Sequence, residues 1–300
     1  MADYYGIPML KRPLWRWEIA LYFFAEGISA GSFVLATMAD VFGGRRYRKL
    51  IRAADYISVA MLLPCPPLLI ADLGRPERFH HMLRVFKPTS PMNLGAWALT
   101  GYGQQAALVA FWPKTALRLA GLPFALFMVA YPGVLLTTTS IPLWNRTRAL
   151  GAVLGTSSMA SASSALELWA AVKDAPRATR ESLHSITTVA HVAEAAALTT
   201  YVAQSHETLQ PLTKGRYSRM FWAGAVAVGV ALPMILAPGR GSKHARTRTI
   251  LSSVSSLVGA LALKWAIVHA GRDSADDPAA NRYATRSAGS LRENPVSRTL

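Results

Sequence analysis

Eight stretches of about 20 mostly apolar residues recur along this chain, at 19–39, 54–71, 92–112, 121–140, 150–172, 183–205, 220–237 and 250–270. In hydrocarbon every backbone N–H and C=O must find its partner inside the segment, so each run is confined to a helix. The pattern predicts an all-α polytopic membrane protein with eight transmembrane helices. A composition of 52% hydrophobic residues in 300 fits this and leaves no room for a soluble domain. One residue breaks the logic of the first run: Glu26 lies well inside it, and Glu18 stands at its mouth. A charge at mid-bilayer costs roughly 2.5–3.5 kcal/mol on insertion scales.

The opening MADYYGIPMLKRPLWRW is not read as a signal peptide, because the run that follows is too long and lacks a small-residue cleavage site. The Ser-, Arg- and Asp-rich stretch 271–300 reads as a disordered tail. Trp15, Trp17, Trp112, Trp144, Trp169, Trp222 and Trp265 fall near expected helix ends, where amphipathic rings meet headgroups. Net charge is +16, and most of it lies in loops, which points to anionic lipid rather than nucleic acid. The alternate loops that begin with GGRRYRKLIR hold fourteen Lys and Arg, and the opposite loops without the tail hold twelve. The first cluster is the densest and favours that side as cytoplasmic, which puts both termini outside, in the periplasm of a bacterial inner membrane.

Cys65 is the one cysteine, so an intrachain disulfide is excluded. An iron–sulfur cluster needs about four cysteine ligands, and a c-type haem needs Cys-x-x-Cys-His; neither is expected here. A b-type haem needs histidines facing each other from different helices, whereas His184 and His191 share one. No metal site is expected.

The most distinctive stretch is LLIADLGRPERFHHMLRVFKPTSPMNLGAW. Pro64, Pro66 and Pro67 remove backbone donors and break the second run. Pro76 suits the start of a short helix, with Phe79, Leu83 and Phe86 along one face at the interface. Ser90-Pro91 reads as the cap and first turn of the third spanning helix. This Asp-Leu-Gly-Arg-Pro-x-Arg-Phe loop with its Pro-x-Ser-Pro-Met sequel resembles the NrfD, or polysulfide reductase membrane subunit, family. MADYYGIP with WRW, EGISAGSF, AYPGVLLTTTSIPLWN and LALKWAIVHAG are similar to further family segments. The likeness is dense over 1–145 and thinner through the fifth to seventh helices.

The resemblance implies two four-helix bundles, at 1–145 and 146–270, with no haem or iron–sulfur cluster of their own. It implies exchange of electrons between a membrane quinone, menaquinone or ubiquinone, and a ferredoxin-like subunit carrying 4Fe–4S clusters. That subunit would in turn join a molybdopterin-containing catalytic subunit of anaerobic respiration. The quinone would lie in the first bundle against Trp17, Glu18, Ile19 and Tyr22 of the first helix and Tyr131, Pro132 and Gly133 of the fourth. Three positions depart from the pattern. Ile19 and Tyr22 stand where the polysulfide reductase branch carries hydrogen-bonding Asn and His, and Lys264 stands where many members have Arg.

Glu18, Tyr22 and Glu26 recur at i, i+4, i+8 and share one helix face. Quinol oxidation releases two protons with its two electrons, and carboxyl groups in apolar surroundings can relay them. Tyr22, Glu26 and Tyr131 are therefore the candidate reacting residues. The alternative is static: Glu26 hydrogen-bonded to a neighbouring helix, Glu18 reaching the headgroups, and Tyr131 beside a simple Pro-Gly kink. Glu167, His191, Glu194 and Lys264 with Glu26 outline a possible proton path; the alternative is fixed pairing, such as Lys264 with Glu194 or Glu167. Asp72, Arg75 and Arg78 either dock the iron–sulfur partner or, for Asp72 with Arg75, hold the turn. Two further functions stay open: a membrane anchor without quinone chemistry, and an ion or small-molecule transporter.

Overall fold

The computed structural model describes residues 13–204, 209–237 and 244–275. The ordered elements among those residues are all helical, and helical segments fall within each of the eight apolar runs. Four stretches are long and apolar enough to cross a membrane on their own: Trp17–Gly43, Arg48–Asp72, Thr115–Thr137 and Ala245–Ser274.

The first is α1 (Trp17–Met38), which widens into a π turn at Ala39–Gly43 before Gly44, at φ 62°, reverses the chain. The second is broken as its prolines require, into α2 (Arg48–Leu62) and α3 (Cys65–Asp72). A 3₁₀ segment, Pro76–Leu83, then lies over an apolar groove of about 260 Å³ between α3 and α4 (Pro91–Phe111). Ser90 caps α4 by accepting from the Asn93 N–H at 3.4 Å. α5 (Thr115–Thr137) begins before the run at 121–140 and so draws Arg118 into the helix. The short α6 (Pro142–Asn145) leads to α7 (Ala149–Val172) and α8 (Arg177–Gln204). After α9 (Gln210–Thr213), a π-helical stretch Met220–Ala231 runs into α10 (Leu232–Leu236), and α11 (Ala245–Ser274) closes the fold. α11 enters the stretch expected as tail, burying Gly271 and Ser274; residues 276–300 and the opening octapeptide lie outside the described residues.

α1 is the central element, packed on α2, α3, α5, α7 and α11. Its small residues explain why. A Cβ at Gly27 would overlap the Ser158 side chain of α7, and one at Gly31 would overlap Ala162, so both glycines let the two helices close. α4 pairs with α5, α7 with α8, and α11 with the π-helical stretch. Many of the polar residues on α7 are serines at these contacts: Ser157, Ser158, Ser161, Ser163 and Ser164 are all buried. The sequence reading placed Trp144 at the headgroups; it is instead fully buried, stacked on Trp15 at 5.4 Å and donating its indole N–H to the Ile267 carbonyl at 2.9 Å. A tryptophan with a partner for its N–H is as content in the core as at an interface.

Candidate functional site

The face shared by Glu18, Tyr22 and Glu26 turns inward. Tyr22 and Glu26 are 1% and 0% exposed, and Glu18 is half-buried at the start of α1. Around them the fold gathers Cys65 from the first turn of α3, Tyr102 from α4 and Tyr131 from α5, each within electrostatic reach of Glu26. The proline break at 64–67 is what delivers Cys65, because it restarts the helix with the thiol facing in. Tyr131 stacks on Phe127 at 5.7 Å and lies over Gly95, where any Cβ would overlap its ring and hydroxyl.

The polar satisfaction of this cluster is uneven. Ser29, Ser58 and Tyr102 are complete: Ser29 donates to the Ser58 carbonyl at 2.7 Å, so Tyr102 donates to Ser29 and accepts from Ser58, each at 2.8 Å. By contrast both carboxyl oxygens of Glu26 are buried without a hydrogen-bond partner among the described residues. Among the described residues the Tyr22 and Tyr131 hydroxyls make no hydrogen bond either. Buried polar atoms are normally paired, and each exception asks for an explanation.

Other residues fall differently from expectation. Trp17 is 47% exposed, at the rim rather than in the interior. Gly133 serves helix contact: a Cβ there would overlap the backbone of Gly151 on α7. Pro132 is buried beside it. Among the described residues Asp72 makes no ion pair with Arg75; it lies within electrostatic reach of Arg16, Glu18 and Arg272, which places the end of α3 beside the start of α1. Arg75 and Arg78 are exposed on the loop, as are His80 and His81.

On the other side of α1 a second polar set begins. Lys264, 1% exposed on α11, donates to Ser157 at 3.0 Å and lies within electrostatic range of both Glu194 and Glu26. Glu194 reaches the same Ser157. One turn along α8, His191 gives its Nδ1–H to the Thr187 carbonyl at 2.9 Å, and Ser164, Ser256 and His191 Nε2 then form a relay with steps of 2.9 Å. His184 contacts Glu167 at 3.3 Å. Of the two pairings foreseen for Lys264, Glu194 is near and Glu167 is taken by His184.

The sequence reading missed an ion pair. Arg118 of α5 grips Asp55 of α2 with two bonds, 2.5 and 2.7 Å, and its Nε lies 3.4 Å from Asp40, to which Thr115 also donates at 2.8 Å. The signal was present: Asp55 lies inside an apolar run and Arg118 just before another, and intramembrane charges pair. Cys65, Gly95 and Tyr102 were missed because apolar neighbours and small residues give no local sign of a site.

Long apolar helices packed around buried ionisable groups define an integral membrane protein built to place acid, base and hydroxyl groups at depth. The chain belongs to the family described as polysulphide reductase, NrfD, which matches residues 7–273. The C subunit of polysulfide reductase from Wolinella succinogenes is 27% identical over 307 residues, 89% of this protein and 97% of its own length. The protein NrfD homolog of Haemophilus influenzae is 24% identical over 303 residues, 86% of this protein and 94% of its own length. The Hdr-like menaquinol oxidoreductase integral membrane subunit of Archaeoglobus fulgidus is 30% identical over 76 residues, 25% of this protein and 19% of its own length.

Proposed function

We propose that this protein is the quinone-reactive membrane subunit of an oxidoreductase complex, with eight spans in two four-helix halves divided near residue 145. The observation that carries the reading is Glu26: a carboxyl group with 0% exposure and no hydrogen-bond partner among the described residues, with the buried Tyr22 and Tyr131 within its electrostatic reach. A quinone head offers two oxygens at opposite ends of a ring, which suits hydroxyl donors on different helices. In this reading Tyr22 on α1 and Tyr131 on α5 orient those oxygens, Glu26 accepts or returns the proton, and Glu18 and Trp17 line the mouth. The quinone supplies the two-electron chemistry when bound. The name of the Wolinella relative favours a reductase complex, and that of the Archaeoglobus relative favours a menaquinol-linked one.

Electrons would pass to or from a 4Fe–4S ferredoxin-like subunit docked on the loop of Asp72, Arg75 and Arg78, with a molybdopterin catalytic subunit beyond it. The membrane is then the bacterial inner membrane, with both termini outside. Protons arriving at Glu26 have a neighbour in Lys264, from which Ser157, Glu194 and His191 lead into the second half, with Glu167 further along; this is the path we assign to them.

A fluorescent or spin-labelled quinone analogue, titrated into the purified complex, should bind saturably and be displaced by quinol. Gly95→Ala should weaken that binding about tenfold, because the added methyl pushes Tyr131 off its position. The reading is overturned if no displaceable quinone is found and Tyr131→Phe turns over like wild type. The protein would then be an anchor, a reading that buried Ile19 favours, since it stands where the family's polysulfide reductase branch carries a hydrogen-bonding residue.

A further inference from the structure

At the end of the molecule opposite Glu18, the two halves leave a groove between them. It holds about 330 Å³ and is walled by Met38 and Phe42 of the α1 end, Leu50 of α2, Leu166 of α7, and Leu183 and Ile186 of α8. Met38, Phe42 and Ile186 are 47%, 78% and 42% exposed, so the apolar wall faces outward. A polar bridge marks one rim: the Tyr47 and Ser182 hydroxyls, 2.8 Å apart, join the α1–α2 turn to α8. Glycine makes the bridge possible, because a Cβ at Gly43 would overlap the Tyr47 ring. On that ring lies the Arg46 guanidinium, 5.8 Å from its centroid. Arg48 and Lys49 follow on the first turn of α2, both exposed.

The charges near this rim do not cancel. Glu181 pairs with Arg177 at 2.8 Å, and Asp174 with Arg180 at 3.2 Å. Among the described residues no carboxylate pairs with Arg46, Arg48 or Lys49. An oily slot open to the bilayer, with uncompensated cations where it meets the headgroups, is complementary to one class of molecule.

We propose that this groove is a binding site for one anionic phospholipid, with an acyl tail between α1–α2 and α7–α8 and the phosphate on Arg46 and the first turn of α2. Its consequence is mechanical: the lipid bridges the two halves at the end where the Tyr47–Ser182 bond crosses this groove. The site is independent of any quinone chemistry.

The test uses the full complex in neutral detergent, stripped of lipid. Its thermal midpoint is followed while phosphatidylglycerol, phosphatidylcholine with the same acyl tails, or inorganic phosphate is added, and bound lipid is counted by native mass spectrometry. Phosphatidylglycerol should raise the midpoint and saturate, with phosphatidylcholine needing at least about tenfold more and phosphate doing nothing. Arg46→Gln should raise the half-saturating phosphatidylglycerol concentration about fivefold and leave the phosphatidylcholine response unchanged. Ile186→Trp, which fills the slot, should remove the retained lipid while quinol turnover persists. Equal responses to the two lipids, a full response to phosphate alone, or a co-purifying protein cross-linked to a cysteine placed at Ile186 would each overturn the proposal; the first two need no variant to fold.

Discussion

Glu26→Gln in the assembled complex should lower quinol-dependent turnover by about 100-fold or more, the size of effect expected when a positioned proton acceptor is lost. Glutamine keeps the shape and the hydrogen-bonding capacity of the side chain and removes its exchangeable acid. Neither Glu26 oxygen has a hydrogen-bond partner among the described residues, and Lys264 keeps Ser157 and the nearby Glu194, so the substitution strands no hydrogen-bonding group. The thermal midpoint should therefore stay level or rise, also in Glu26→Leu. A merely structural carboxylate would show the reverse, with stability falling and turnover surviving. The readouts are quinol-dependent turnover, reduction of the partner subunits by an artificial donor that bypasses the membrane subunit, and the midpoint. Turnover within threefold of wild type would remove Glu26 from the chemistry.

The second large effect is one of stability. Arg118→Ala leaves Asp55 buried with its main cation gone, and breaking a buried pair in this way costs about 3–5 kcal/mol. The pair ties α2 to α5 with two short bonds, both side chains being at most 1% exposed. Replacing both, as Asp55→Leu with Arg118→Leu, should recover most of that loss, because desolvation offsets much of what the intact pair contributes. Denaturation of the detergent-solubilised protein would report it. A single mutant that unfolds like wild type would mean that water reaches the pair in the membrane.

How far each feature was readable depends on how local it is. The proline break, the Ser90 cap, the inward face of Glu18, Tyr22 and Glu26, and the family loop are all set within about ten residues, so periodicity and turn chemistry exposed them. The Gly133 contact was hidden for the opposite reason. A glycine in a helix is equally suited to a ligand and to another backbone, and only the tertiary structure brings Gly151 against it. Asp72 followed the same rule: a carboxylate three residues from an arginine invites a local pair, yet α3 ends beside α1 and puts Asp72 within reach of Arg16 and Arg272 instead.

The sequence by itself determined that this is a helical membrane protein, where its helices break, which family it resembles, and that acids stand in its oily interior. Apolar length and backbone hydrogen bonding dictate those properties one segment at a time. Only the tertiary structure decided which of those acids have partners. Asp55 meets Arg118 across 63 residues and Lys264 meets Ser157 across 107, while Glu26 meets no hydrogen-bond donor among the described residues. Pairing is a matter of helix register and packing, and neither is written in any single run.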